Sequence, residues 1–180
     1  MSNPVIEAMK TRHICRKFKA DPVPRERIEQ IAGAGLWAAS GMGKQAAKIV
    51  VVTDKALRDR LSEQNRAIGG WPAGFDPFYG APAVLIVLAD KTAFTGVYDG
   101  SLVMGNLMLA AHSLGVDSIW IHRAKEEFES EEGKALLKSL GIEGDWEGVG
   151  HCALGYPAKP LPAGAPPKPG RIVWAQEATR

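Results

Sequence analysis

Four ionisable, nitrogen-bearing side chains crowd into the stretch Arg12-His13-Ile14-Cys15-Arg16-Lys17. A guanidinium presents a fixed fork of donors that matches a planar oxyanion, so convergent arginines suit phosphate or carboxylate. Arg12 and Arg16 are four apart and would share one face of a helix. They are also an even number apart and would share one face of an extended chain. Both conformations stay open at this point. So does a plain basic turn at a helix end, where cations complement the helix dipole. Lys44, Lys168 and Arg171 are the other cations of interest, and the last two lie at the opposite end of the chain. If folding gathers this set, it would hold a phosphorylated cofactor, and the cofactor would bring the reactive chemistry. The sequence offers no nucleophile motif, no paired histidines at zinc spacing and no Walker loop.

The bulk numbers narrow the classes. A chain of 180 residues suits one domain with a sizeable core. Apolar residues at 46% and charged residues at 23% are ordinary for a globular protein. A net charge of +2 argues against a nucleic-acid binder. No apolar run reaches membrane-spanning length, and the first ten residues lack the pattern of a signal peptide. Cys15 and Cys152 make no disulfide framework. The expectation is a cytoplasmic protein without nucleic-acid or membrane partners.

The elements that must position the basic stretch follow from periodicity. Asn3-Pro4 reads as an N-cap and first helical residue, opening a helix to about Lys10. Apolar spacing predicts helices over Arg25–Ala39, from Asp54 to about Arg66 and over Asp99–Leu114. The last is apolar nearly all round and belongs in a core or an oligomer interface. Within it, His112 reads as a packed core histidine and Asn106 as a satisfied amide. Glu126–Leu140 reads as a surface helix with a break expected near Gly133. Strands are expected at Lys48–Thr53, Ala83–Ala89, Ser118–Ile121 and Glu147–Tyr156. Ile172-Val173-Trp174 offers one more edge strand beyond a proline-rich arm. Helices and strands alternate, with crossovers long enough for parallel pairing. The loop 69–82 carries Trp71, Phe75, Phe78 and Tyr79 and reads either as a lid or as a satellite of the core. Ser40-Gly41-Met42-Gly43-Lys44-Gln45-Ala46 spells Gly-x-Gly-x-x-Ala, but the dinucleotide fingerprint needs a strand before it and a helix after it. Here the order is reversed, so a Rossmann site is excluded. What remains is a loop able to touch a ligand through backbone N–H groups.

The run from Arg12 to Phe18 resembles the opening of the nitroreductase flavoproteins. Ala38-Ala39-Ser40 through Gln45, Gly80-Ala81-Pro82, Asn106–Ala111, Leu114-Gly115-Val116 and Leu154–Pro157 are similar to further landmarks of that family, in order. Trp120–Ala124 resembles a shorter clade. The resemblance implies an α+β fold with a mixed sheet flanked by helices. It implies an intertwined homodimer of one domain, residues 1–180, with 157–180 as an arm reaching the partner. It implies FMN at the interface and ping-pong hydride transfer from NADH or NADPH to a small acceptor such as a nitroaromatic or quinone. No side chain need be catalytic. Carried over by position, Arg12, His13, Ile14 and Arg16 would contact the phosphate, ribityl chain and pyrimidine edge, where a cation favours the reduced anionic flavin. Lys168 or Arg171 would add to the phosphate clamp. Ser40, Gly41, Gly43 and Gln45 would come from the partner, and the backbone at Ile121 and His122 would face the flavin ring. Gly43, Ala46-Ala47 and Gly105 depart from the family pattern and suggest a more open substrate side. Either Asn65 or Asp76 would supply a polar contact from the middle of the chain. Two other readings stay open: a non-catalytic flavin carrier or sensor, and an anion-binding module without flavin.

Overall fold

The computed structural model describes residues 3–162 and 164–175. The Asn3 side chain accepts from the Val5 and Ile6 backbone N–H groups, at 2.9 and 3.3 Å, and so opens α1 (Pro4–Thr11). That cap satisfies donors that no helical carbonyl reaches. Helices α2 (Arg25–Leu36) and α3 (Lys55–Ile68) flank the first strand, β1 (Ala47–Val52). The chain continues through β2 (Ala83–Asp90), α4 (Gly96–Ser113) and β3 (Asp117–Ile121). It closes with α5 (Ala124–Glu129), α6 (Glu131–Ser139) and β4 (Trp146–Gly155). The elements expected up to β4 are present, with ends shifted by a few residues.

The strands form one sheet in the order β1-β2-β4-β3. The class is α+β as expected, but the expected mixed sheet is corrected here. Among the described residues all three pairings are antiparallel. The crossovers are long enough for parallel strands, yet β4 returns between β2 and β3 and runs against both. Every residue of β2 from Ala83 to Ala89 is buried, because the sheet is covered on both faces. Val84, Ile86 and Leu88 point into a cluster with Phe78, Phe128 and Leu61. Leu85 and Val87 point the other way, against Met104 and Leu107 of α4. This two-residue alternation makes β2 the floor of two cores.

The expected break near Gly133 is present at Ser130, whose hydroxyl accepts from the Gly133 N–H at 3.0 Å to cap α6. Two further expectations are corrected. Ile172, Val173 and Trp174 form no strand and are 82–86% exposed. Residues 163 and 176–180 of the expected arm lie outside the described residues. The second correction concerns His112, which is half-buried at the end of α4 rather than packed in the core. The core histidine is His151 of β4. Its Nε2 lies 2.9 Å from Glu127 Oε2, and both side chains are fully buried. That is ion-pair distance without hydrogen-bond alignment, because neither group has an aligned partner.

Candidate functional site

The basic stretch is extended. Arg12 ends α1 with φ −56° and ψ 132°, and the chain then runs beside β3. The Cys15 N–H donates to the Ser118 carbonyl at 3.2 Å. Three residues further on, the stretch is laced to the start of the proline arm. Lys19 N–H donates to Tyr156 O at 2.8 Å, and Ala158 N–H donates to Lys17 O at 2.9 Å. Phe18 pairs with Pro157 in an isolated antiparallel bridge. These contacts carry the arm back over residues 12–17. At Gly164 a Cβ would stand 3.1 Å from the Arg12 carbonyl oxygen, so a side chain there would press on the backbone.

The result is a cavity of about 580 Å³ lined by Arg12, His13, Ile14, Arg16, Lys17 and Lys159, with Leu161, Pro162, Gly164 and Ala165 on the arm side. Arg16 and Lys17 are exposed, whereas Arg12 is half-buried. Arg12 Nη1 is buried and has no hydrogen-bond partner among the described residues. A buried guanidinium nitrogen without an acceptor is costly, and beside other cations it leaves a donor free for an anion. Lys168 and Arg171 do not line this cavity. Lys159, which sequence reasoning passed over, does so. Its signal was available, since it follows the last strand by only a few residues.

His13 lines the same cavity but turns its ring inward. Its Nε2 lies 2.8 Å from Asp117 Oδ1 at the start of β3, and its Nδ1 lies 3.2 Å from the Thr11 carbonyl. Its ring meets His112 edge-on with centroids 5.3 Å apart. Burial, then the neighbouring His13, lowers the His112 pKa, against the pull of Asp117.

The loop 40–45 lies elsewhere. A single 3-10 turn spans Gly41–Gly43, and the Gly41 N–H donates to Asp99 Oδ1 at 3.1 Å. Asp99 is buried in the first turn of α4 and also accepts from Thr95 Oγ1 at 3.1 Å. A Cβ on Gly41 would sit 2.2 Å from Thr95 Oγ1, so glycine lets the loop seat there. Gln45 adopts φ 49°, with its N–H donating to Ser40 Oγ at 3.0 Å. Ser40, Gly41, Gly43 and Gln45 thus hang on the N-terminal end of α4, whereas the arginine cavity sits by His112 at its C-terminal end. From Asp99 to His112 the helix advances about 20 Å at 1.5 Å per residue. One chain does not bring both groups to the same place.

The end of β3 is fixed by Asn65. This fully buried side chain donates through Nδ2 to the His122 carbonyl at 2.9 Å, and its Oδ1 faces Arg123 Nε at 3.4 Å. Arg123 adopts φ 75°, unusual for a residue with a side chain. Its guanidinium stacks over Trp71 at 4.1 Å, and Trp71 meets Phe75 at 4.9 Å. The aromatic loop is therefore an ordered collar against the β3 end, with Phe78 alone driven into the core. Ile121 is buried and His122 exposed. Asp76 has a different task. It accepts from Ser62 Oγ at 2.6 Å, Phe78 N–H at 2.9 Å and Gly80 N–H at 2.7 Å, and pairs with Arg58. Burial acts to raise its pKa, but the hydrogen bonds from Arg58, Ser62 and Gly80 outweigh it and hold the carboxyl below its ordinary value. With its acceptors occupied, Asp76 is a brace for the loop, and Asn65 is the polar group that reaches the β3 end.

An α+β sheet covered by helices on both faces carries a cationic cavity near one end of its longest helix and a glycine loop near the other. The family can be stated outright. The chain belongs to the Nitroreductase family, whose model matches residues 9–156. It is 32% identical over 120 residues to a protein from Methanothermobacter thermautotrophicus named as an NADH dehydrogenase/NAD(P)H nitroreductase, covering 64% of this chain and 59% of that one. It is 34% identical over 128 residues to the NADPH-flavin oxidoreductase of Vibrio harveyi, covering 66% of this chain and 53% of that one. The chain therefore spans between half and three fifths of the length of these two relatives. It superposes on the crystal structure of a Bacteroides fragilis nitroreductase with bound FMN at a TM-score of 0.89 and 27% identity. That match covers 97% of this chain and all of the other. No helix among the described residues is long and apolar enough to cross a membrane.

Proposed function

We propose that this protein is an FMN-dependent NAD(P)H oxidoreductase that passes hydride to a nitroaromatic, quinone or related small acceptor. The observation that carries the reading is the buried, partnerless Arg12 Nη1 at a cavity shared with Arg16, Lys17 and Lys159. Those groups fit a terminal phosphate, and Ile14 and Leu161 offer apolar contact beside it. Bound FMN would supply the chemistry, accepting hydride from the nicotinamide and giving it to the acceptor. The protein's share is placement and charge. Arg12, Arg16 and Lys159 hold the phosphate end, and the His122 backbone, locked by Asn65, borders the ring.

The working unit is a homodimer. About 20 Å separates the Ser40–Gln45 loop from the arginine cavity along α4. Two α4 helices packed antiparallel about a two-fold axis would bring the loop of one chain to the cavity of its partner. Apolar surface supports that packing: Tyr98 and Leu102 on α4, Val5 and Met9 on α1, and Trp37, Met42 and Phe94 are all exposed. Lys168, Arg171 and Ile172–Trp174, all exposed in this chain, would reach across on the arm. The reductant is NADH or NADPH. Two cysteines without a disulfide suit a cytoplasmic location. The test is reconstitution of purified protein with FMN. A yellow, stoichiometric complex, bound more weakly in Arg12→Ala, is expected, and a protein that stays colourless in excess FMN overturns the reading.

A further inference from the structure

Apart from the phosphate cavity, one cluster of side chains is built like a metal centre. His13, His112 and Asp117 each offer one ligand atom, and the three atoms lie within 4.8 Å of one another. They come from three separately anchored elements: the turn after α1, the last turn of α4 and the first residue of β3. All three are half-buried, which lowers competition from water without closing the site.

What distinguishes the cluster is its outer shell. A ligating imidazole ordinarily donates its second N–H to a carbonyl, carboxylate or water, which fixes the tautomer and aims the ring. Here one residue does this for both histidines. The Thr11 carbonyl lies 3.2 Å from His13 Nδ1, leaving Nε2 to ligate. The Thr11 hydroxyl lies 2.9 Å from His112 Nε2, leaving Nδ1 to ligate. That hydroxyl already gives its own proton to the Glu7 carbonyl at 2.8 Å, so towards His112 it accepts. The His112 tautomer is thereby set with its proton on Nε2. Asp117, 2.8 Å from His13 Nε2, supplies the anionic ligand.

We infer that His13, His112 and Asp117 form a divalent transition-metal site of two neutral imidazoles and one carboxylate. Zinc is the ion of choice, since it accepts N and O ligands in tetrahedral sites at bond lengths of about 2.0–2.2 Å. A donor set without thiolate or thioether disfavours copper(I), and the presence of two imidazoles disfavours magnesium and calcium. A three-ligand site keeps a fourth position for water or an anion. Because His13 also lines the arginine cavity, an ion held here would add positive charge at the edge of that cavity. It would also clip α4 and β3 to the turn at residue 12.

The test uses the full-length protein, free of any histidine tag. Cobalt(II) added as a probe is expected to give visible absorption of a tetrahedral N/O site at one equivalent. Zinc, titrated against a chromophoric chelator, is expected to bind at one per chain and to displace the cobalt. His112→Ala removes a ligand and should abolish the spectrum. Thr11→Val keeps every ligand, removes the hydroxyl that backs His112, and should weaken zinc by about tenfold to a hundredfold. Circular dichroism of both variants establishes that they are folded, and Thr11→Val alone decides if His112→Ala is not. No saturable binding at roughly 100 µM metal, or affinity unchanged in the folded variants, would overturn the site. Neither result depends on whether the protein carries flavin.

Discussion

Asn65→Ala is the most informative single change outside the phosphate cavity. The side chain is fully buried and gives the His122 carbonyl its hydrogen bond at 2.9 Å. Truncation leaves that carbonyl without a donor, at about 1–3 kcal/mol if it stays dry. It also releases the contact that helps hold Arg123 at φ 75°, a conformation that itself costs roughly 1–2 kcal/mol for a residue with a Cβ. Part of that strain relaxes in the variant, so the net loss is about 2 kcal/mol. For a domain of this size the melting temperature should fall by roughly 4–8 °C. Differential scanning fluorimetry on the flavin-loaded protein reads this directly. A second effect separates positioning from mere stability. On the proposed placement of FMN, its affinity is set by the arginine end and should change little, while turnover with any acceptor should drop because the backbone proposed to border the ring is no longer fixed. Arg123→Gly gives the complementary case. It relieves the positive φ but loses the stack on Trp71 and the 3.4 Å contact with Asn65 Oδ1, so gain and loss offset and stability should move by less than about 1 kcal/mol. If Asn65→Ala melts within 1 °C of the parent, about the scatter expected of a neutral surface change, the claim that Asn65 anchors the β3 end is wrong.

Other changes probe the remaining parts. Arg12→Ala and Arg16→Ala should each weaken FMN binding by about 1.5–3 kcal/mol, the range for a hydrogen bond to a charged group; unchanged affinity in a fluorescence-quenching titration removes that residue from the site. Asp76→Asn should destabilise the fold by about 1–3 kcal/mol, because it removes one of the two carboxylates paired with the nearly buried Arg58 and leaves only Asp59. The folded-state pKa of Asp76 is depressed, so the stability it contributes is present above the ordinary carboxylate range and lost as pH falls through the lower folded value. In urea titrations the gap between parent and variant should therefore persist at pH 5 and begin to narrow once pH falls below the ordinary aspartate value of about 4. Burial pushes the Cys152 thiol up to about 12 and also raises Cys15, so neither should react with a thiol reagent at pH 8 in the folded protein. Both should react at once in denaturant, and rapid labelling of the folded chain would contradict the core packing around β4.

Local signals made much of this fold legible. Asn3-Pro4 announced α1 through a cap and a proline at the first helical position, and the apolar run at Ala83–Ala89 announced a strand buried on both faces. Strand direction was less accessible. Long crossovers permit parallel pairing without requiring it, and nothing local in Trp146–Gly155 says that it inserts between β2 and β3. The arginines of the cavity were legible from residue type, but their extended conformation was not, because a spacing of four fits helix and strand alike. His112 was misread because an apolar helix suggests a core, whereas its last turn lies beside the turn at His13. The two histidines are far apart in the chain, so no ligand spacing could reveal their meeting. Asn65 and Asp76 looked alike as polar residues of the middle region; only their partners, a strand-end carbonyl for one and a brace of loop donors for the other, tell them apart.

The central claim is that the arginine cavity holds a flavin which takes hydride from a nicotinamide. Anaerobic stopped-flow mixing of FMN-loaded protein with NADH and, separately, NADPH measures this with no acceptor present. Rapid loss of the visible flavin absorption with at least one of the two, and its return on adding a quinone, is the predicted result. A flavin that stays oxidised with both nucleotides would contradict the account and leave a flavin carrier or sensor in its place.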